Sequence, residues 1–571
     1  MSFNKLLIIS ISMLTCISKG LQAPAQQLSI TPFRYEINKQ VSADHGAVVS
    51  AHPLASQVGV YILQKGGNAI DAAIASQLAL AVVYPGAGNI GGGGFMVARL
   101  SNGQTIALDF RETAPGKASR DMYLDKNGEV MTQKSKDGHL AAGVPGTIAG
   151  LFASMKYARL PFKVLIQPAI DLAEKGFAIT EREARSLNEN QGAFLLNNTR
   201  MNAFIKIGGW KAGDTLIQKD LATTLKRIQL LGRKGFYEGI TAKLIVEEMK
   251  RGGGIISMED LKQYQVKERT AMLFNYKGYE IITMPLPSSG GILLQQMLNM
   301  ASSKNISSMG FQTKESVQFI TEIERRAYAD RAEFLGDADF VKVPVKKLTS
   351  MEYALQRIKD FDSSKAGNSQ IIKAGNINKE SEETTHLSIL DKDGNAVSVT
   401  TTLNGAYGSK TVVAGAGFLL NNEMDDFSVK PGTPNLYGAV GNEQNAIAPG
   451  KRMLSSMTPT IVLKNNKPYM VVGTPGGTTI TTSVFQSLLN VLDFDMNAVD
   501  AVNKPKFHHQ WLPDVIYVES DFPKNVSNDL QKMGYKIVER QAIGRTEMIL
   551  INDGKIIAVG DKRGDDAAVG Y

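Results

Sequence analysis

An α/β (α+β) fold in four layers, with two β-sheets packed face to face and helices covering both outer faces, is predicted by three features of the sequence. Strand-type segments appear before residue 110. A long helical stretch fills the middle, from about Ala142 to Ile358. Strand-type segments return from Thr384 to the C-terminus. No internal repeat is visible. At 571 residues, with 43% hydrophobic and 21% charged residues, the chain can bury a large core.

Residues 1–25 differ from the rest. Lys5 precedes an apolar run from Leu6 to about Ile17, and small residues follow to Ala25. This is the pattern of a cleavable secretory signal, too short to span a bilayer, with cleavage expected between Gly20 and Gln26. The expected location is therefore periplasmic or secreted. The single cysteine, Cys16, lies inside this segment, so the mature chain has no disulfide, thiol chemistry or Cys-ligated metal. Nothing later resembles a transmembrane helix. The net charge of +8 comes from 63 basic and 55 acidic residues that are interspersed, which excludes a nucleic-acid patch.

An Ala-rich segment from Asn68 to Val83 reads as a buried helix. Gly86, Gly88 and Gly91 then match the spacing of a dinucleotide fingerprint. That fingerprint needs strand, glycines, helix, whereas the order here is helix, glycines, strand, so the glycines are expected to allow close backbone packing instead. Phe95–Ala98 and Ile106–Leu108, joined by Asn102-Gly103, read as a hairpin that ends near Arg111. An arginine leaving a strand could grip a carboxylate with its planar fork. Read alone, Arg111 fits better as a partner of Asp109 or Glu112.

In the helical middle, Leu221, Leu225, Ile228 and Leu231 form one stripe, and Val317, Ile320 and Ile323 another. Ser257 with Asp260 reads as a capping box, and Ser288-Ser289-Gly290-Gly291 leads into a further helix. The tract from Lys359 to Glu383 is too polar to bury much surface, so it is expected to be exposed and mobile.

That tract runs into Thr384-Thr385-His386, where Leu387 and Ile389 alternate with Ser388 as in a half-buried strand. Asp393-Gly394 turns the chain into Ala396–Val399. A mobile tail ending on a strand-borne threonine is the layout of a self-cleaving hydrolase whose new N-terminal threonine is the nucleophile. Its own α-amine, with a pKa of about 7.7–8.0, would serve as base. Thr-Thr also suits an ordinary strand, because β-branched residues favour strands. Further on, 458–463 and 469–472 flank an Asn-Asn turn, Pro475-Gly476-Gly477 precedes a helix from Ile480, and 548–551 pairs with 556–559 across Asp553-Gly554. His508 and His509 are adjacent on a strand and point to opposite faces, so no shared metal is expected. There is no GxSxG nucleophile elbow.

The whole mature chain resembles the bacterial gamma-glutamyltransferases (glutathione hydrolases) of the N-terminal nucleophile hydrolase superfamily. The resemblance rests on Asp109-Phe110-Arg111-Glu112-Thr113-Ala114-Pro115, Ala142-Gly143-Val144-Pro145-Gly146-Thr147, Thr384-Thr385-His386, Asn421–Phe427, Leu454-Ser455-Ser456-Met457 and Pro475-Gly476-Gly477. It implies a two-chain αββα enzyme cut before Thr384, with a large subunit 26–383 and a small catalytic subunit 384–571. Thr384 would be the nucleophile, oriented by Thr402. Arg111, Ser455 and Ser456 would hold the glutamyl α-carboxylate, and Asn404, Glu423 and Asp426 its α-amine. N–H groups of Gly476 and Gly477 would form the oxyanion hole. The segment from Pro431 to about Asn445 would be a lid, with Tyr437 able to bond to Asn404; on sequence alone an ordinary surface loop reads as well. Asn89 stands where the family often has Ser, with no chemical effect expected.

Implied substrates are glutathione and related γ-glutamyl compounds, with water, amino acids or dipeptides as acceptors. No cofactor, metal, membrane or nucleic-acid partner is implied. Two rivals are a cephalosporin (glutaryl) acylase of the same fold, disfavoured by Glu423 and Asp426, and an uncleaved γ-glutamyl-peptide binding protein, which a denaturing gel would separate.

Overall fold

The computed structural model describes residues 28–374, 385–430 and 443–571. Two seven-stranded sheets form its centre. The first orders its strands Gln40–Ala43, Lys555–Val559, Glu547–Asn552, Lys467–Gly473, Thr460–Lys464, Tyr279–Thr283 and Met272–Tyr276. The second runs Ala567–Gly570, Ala47–Ser50, Thr385–Leu390, Ala396–Thr402, Gly93–Arg99, Thr105–Asp109 and Lys267–Arg269. Every pairing in the two sheets is antiparallel.

The sheets meet through Val49, Phe95 and Val97 on one side and Ile461, Val471 and Ile549 on the other, all essentially inaccessible. Helices Pro53–Gln64, Ala69–Val83 and Phe162–Lys175 cover the outer face of the second sheet. Helices Gly290–Ala301, Lys314–Phe334 and Thr479–Leu492 cover the first. This is the expected αββα sandwich. Ala69–Val83 is buried along its whole length, as its all-round apolar sequence requires. Its Asn68–Asp71 capping box satisfies the first turn, as Ser257–Asp260 does for Met258–Gln263.

The glycine run acts through close packing. A Cβ at Gly88 would lie 2.2 Å from the Leu80 carbonyl oxygen, and one at Gly92 would lie 2.0 Å from that of Thr402. The two-residue turns at Asn465-Asn466 and Asp553-Gly554 have positive φ throughout, the geometry that suits tight hairpins.

Three expectations change. The helical middle also contains the hairpin Met272–Tyr276/Tyr279–Thr283, which supplies one edge of the first sheet. The strand Thr385–Leu390 is buried on both faces rather than half-buried. Leu387 and Ile389 meet the helices, while His386 and Ser388 face the other sheet. There His386 Nδ1 lies 2.9 Å from Thr400 Oγ1, and Ser388 Oγ donates to the Glu547 carbonyl at 3.0 Å. These polar groups are tolerated inside because they are paired. Finally, the described part of the polar tract is mostly exposed but anchored. Ala366 N–H donates to the Met533 carbonyl at 2.9 Å, Ser369 N–H to Asp514 at 2.8 Å, and Trp511 Nε1 to the Ser369 carbonyl at 2.9 Å.

Among the described residues no helix is long and apolar enough to cross a membrane.

Candidate active site

Three elements open at the same end of the sandwich. The first is the start of Thr385–Leu390, paired with the end of Ala396–Thr402. Thr385 lies opposite Thr401, which leaves Thr402 as the next residue at that end. Thr402 Oγ1 accepts the Asn404 N–H at 2.7 Å. Asn404 sits at φ 71°, and its Nδ2 donates to the Asn422 carbonyl at 3.0 Å. Asn89 braces the strand end by donating to the Thr402 carbonyl at 2.8 Å and accepting from Thr147 Oγ1 at 2.7 Å. That is a positional role for the residue which departs from the family's usual Ser.

The second is the turn after Lys467–Gly473. Gly473 lies against the His386 ring; an added Cβ would come within 2.2 Å of it. Burial lowers the His386 pKa to about 3, so the ring between the sheets is neutral. The turn continues through Gly476 and Gly477, with φ 135° and 72°, conformations that only glycine adopts readily. Their carbonyls accept from Thr479 and Ile480 at the start of the helix Thr479–Leu492. Their N–H groups donate to no acceptor among the described residues, and they stand at a helix N-terminus, where negative charge is favoured.

The third is Arg111, two residues beyond Thr105–Asp109 and 1% exposed. Asp109 accepts the Arg111 backbone N–H at 3.1 Å, but its carboxylate forms its ion pairs with Arg269 Nη2 at 2.8 Å and Arg452 Nε at 3.1 Å. Arg111 Nη1 instead lies 2.5 Å from Glu423 Oε2 and 3.6 Å from Glu112, and its Nη2 bonds to Asp426. Nε and Nη2 also donate to the Met453 and Leu454 carbonyls at 3.3 Å each, the residues just before Ser455. Glu423 and Asp426 reach Arg111 from a buried 3₁₀ turn, Glu423–Asp426.

Three buried carboxylates therefore surround one guanidinium. Burial, reinforced by Glu423, pushes the Glu112 carboxyl well above the usual range, and burial likewise raises Glu423. Both Glu112 oxygens and Asn404 Oδ1 are buried without a hydrogen-bond partner among the described residues. The cluster is short of positive charge and of donors, which suits a ligand that brings an ammonium group.

Arg111, Asn404, Glu423, Asp426, Thr402, Ser455, Ser456, Gly476 and Gly477 are all described. Arg111, Glu423 and Asp426 are in direct contact. Thr384 and Tyr437 lie outside the described residues, as does the central part of the expected lid, 431–442. The flanks of that segment are joined by the bridge Ser428↔Ala446. Asn445 donates to the Asp426 carbonyl at 2.7 Å and accepts from Leu454 N–H at 3.1 Å. The loop therefore departs from and returns to the acidic turn.

Two contributors escaped sequence reasoning. Glu112 appeared only as an ordinary ion-pair partner, although its place beside Arg111 was the available signal. Arg331, in the last turn of helix Lys314–Phe334, bonds to Ser456 Oγ and donates to Ser289 Oγ at 2.8 Å; nothing in its local sequence marks it. His508 and His509 have different neighbours, Thr482 at 2.8 Å and Asp514 at 3.2 Å.

Comparison with known proteins gives one consistent family. A family model described as gamma-glutamyltranspeptidase matches residues 55–571. The glutathione hydrolase proenzyme of Escherichia coli (strain K12) is 45% identical over 563 residues, covering 98% of this chain and 97% of the relative. Among solved structures, a cephalosporin acylase from Bacillus halodurans superposes with a TM-score of 0.82 at 25% identity, covering 95% of this chain and 98% of that one. The gamma-glutamyltranspeptidase of Helicobacter pylori aligns at 49% identity with a TM-score of 0.56, over 57% of this chain and 94% of that one.

Proposed function

The chain belongs to the gamma-glutamyltranspeptidase family, and from that premise we propose that it cuts itself before Thr384 and then transfers or hydrolyses γ-glutamyl groups, glutathione among its donors. The observation that carries the reading is one buried guanidinium among three carboxylates, at the same end of the sandwich as a turn whose N–H groups donate to no acceptor among the described residues.

In self-cleavage the Thr384 hydroxyl attacks the Glu383 carbonyl. The peptide C–N bond gives way to an ester, and water hydrolyses it. The new α-amine of Thr384 then takes the proton of its own hydroxyl as that oxygen attacks the substrate's γ-carbonyl. Thr402, at the adjoining strand end, orients the nucleophile. The N–H groups of Gly476 and Gly477 stabilise the oxyanion where negative charge develops. The leaving amine takes the proton, and water or an acceptor amine releases the glutamyl group. Arg111, Ser455 and Ser456 hold the α-carboxylate, while Glu423, Asp426 and Asn404 receive the α-ammonium, which supplies donors to the Glu423 carboxylate and to Asn404 Oδ1.

Residues 1–25 act as a signal for export to the periplasm or beyond, and the cut leaves subunits 26–383 and 384–571. Strands from both sides of residue 384 interleave in both sheets, which supports the two chains remaining one body. One structural neighbour is named a cephalosporin acylase; in the rival glutaryl acylase reading, the glutaryl substrate would bring no ammonium to the acidic cluster. A denaturing gel with intact-mass analysis should show two chains, the smaller beginning at Thr384, and the protein should consume glutathione faster when a dipeptide acceptor is present to take the glutamyl group. A single chain without turnover overturns the reading.

A further inference from the structure

Beside the glycine turn a cleft of about 560 Å³ runs away from the acidic cluster. Asn404 and Gly476 line one end of it. The backbone of Gly544 packs directly on Gly476; a Cβ at Gly476 would meet the Gly544 Cα at 2.9 Å. The next residue, Arg545, is fixed by its N–H donating to Thr474 Oγ1 at 2.7 Å and by Nη2 donating to the Tyr84 hydroxyl at 2.7 Å. Its carboxylate neighbour, Asp566, stays 3.7 Å from Nη1, beyond hydrogen-bond reach. Arg540 lines the same cleft and pairs with no carboxylate among the described residues; its guanidinium lies 5.9 Å from the Tyr517 ring centroid. Arg563, in the same wall, is by contrast saturated by Glu519 and Asp561.

The cleft thus begins at the turn assigned to the oxyanion and carries two guanidinium groups with hydrogen-bonding capacity to spare. A dipeptide spans about 7 Å, and the cleft's lining runs from Gly476 past Gly544 to Arg545 and Arg540. We propose that this cleft binds the amine-side peptide, leaving in the first step and attacking in the second, and that Arg545 and Arg540 hold its C-terminal carboxylate. The proposal rests on the acyl-transfer reading above. In the second step the acceptor nitrogen forms the new C–N bond, the ester C–O bond to Thr384 breaks, and one amine proton ends on the Thr384 hydroxyl. A carboxylate anchored at the far end of the cleft orients that nitrogen toward the ester.

The test uses the mature enzyme with γ-glutamyl-p-nitroanilide as donor and compares glycylglycine with glycylglycinamide, acceptors that differ only in the terminal carboxylate. The wild type is expected to favour glycylglycine by about tenfold or more in kcat/KM, the worth of one charge-assisted hydrogen bond. Arg540→Gln and Arg545→Gln should each cut that preference to about threefold or less, through a raised KM for glycylglycine and not for the amide. A wild type without the preference, or variants that retain it, would overturn the proposal. If Arg545→Gln fails to mature, the Arg540→Gln ratio decides. No nitroaniline release by the wild type, with or without acceptor, would instead refute the acyl-transfer reading itself.

Discussion

Replacing Arg111 by lysine isolates geometry from charge. The native guanidinium reaches Glu423 through Nη1 and Asp426 through Nη2, and it donates to the Met453 and Leu454 carbonyls at 3.3 Å. A lysine ammonium is a single point on a flexible stem and cannot span these partners at once. At least one charge-assisted contact is lost, and one to a bound α-carboxylate with it. Each is worth about 1.5–3 kcal/mol, or about 10- to 150-fold at about 1.4 kcal/mol per decade. KM for γ-glutamyl-p-nitroanilide should therefore rise by about 10- to 150-fold, with maturation into two chains retained and kcat changed less. Steady-state kinetics alongside a denaturing gel would measure this. A fully matured Arg111→Lys enzyme with KM within about threefold of wild type would refute the role given to the fork, because the loss of even one such contact exceeds that.

Thr384→Ala should remain one chain of full mature length by intact mass; cleavage at 383–384 together with glutathione turnover in this variant would remove Thr384 from both steps. Shortening the loop within 433–441 should leave self-cleavage intact and add measurable hydrolysis of a glutaryl-cephalosporin, with Tyr437→Ala showing part of that gain; a matured variant with an unaltered substrate ratio means the loop is no gate. The deletion must stop before Asn445, since that side chain braces Asp426 and Leu454. Glu324, buried and accepting from His509 N–H at 2.9 Å and Gln486 at 3.0 Å, has its pKa raised to about 8 by burial. A raised carboxyl pKa contributes stability that is full below the unfolded value near 4.5 and is lost as pH climbs toward about 8. Wild-type Tm should accordingly fall from pH 5 to 8 more steeply than that of Glu324→Gln, and parallel curves would contradict the buried neutral acid.

Much of this protein was determined locally and is legible in its sequence. The strand at Thr385–Leu390, the positive-φ turns at Asn465-Asn466 and Asp553-Gly554, the capping boxes at Asn68 and Ser257, and the helix–glycine–strand order at Ala69–Arg99 each follow from a few neighbouring residues. The hairpin Met272–Thr283 was equally local in its Lys277-Gly278 turn, both at positive φ, but was hidden by the helical segments around it. What only the tertiary structure decided depends on long-range pairing. Ala567–Gly570 reads as a strand once it lies against Ala47–Ser50. Polar residues on Thr385–Leu390 imply a solvent face until a second sheet supplies their partners. Arg111 resembles a partner of Asp109 or Glu112 until Arg269 and Arg452, distant in sequence, pair with the Asp109 carboxylate, and the Arg111 guanidinium, still 3.6 Å from Glu112, also reaches Glu423 and Asp426. A side chain's preferences are written in its own chemistry. Which partner it finds is settled by competition among residues hundreds of positions apart, and that competition is resolved only when the sheets and helices pack.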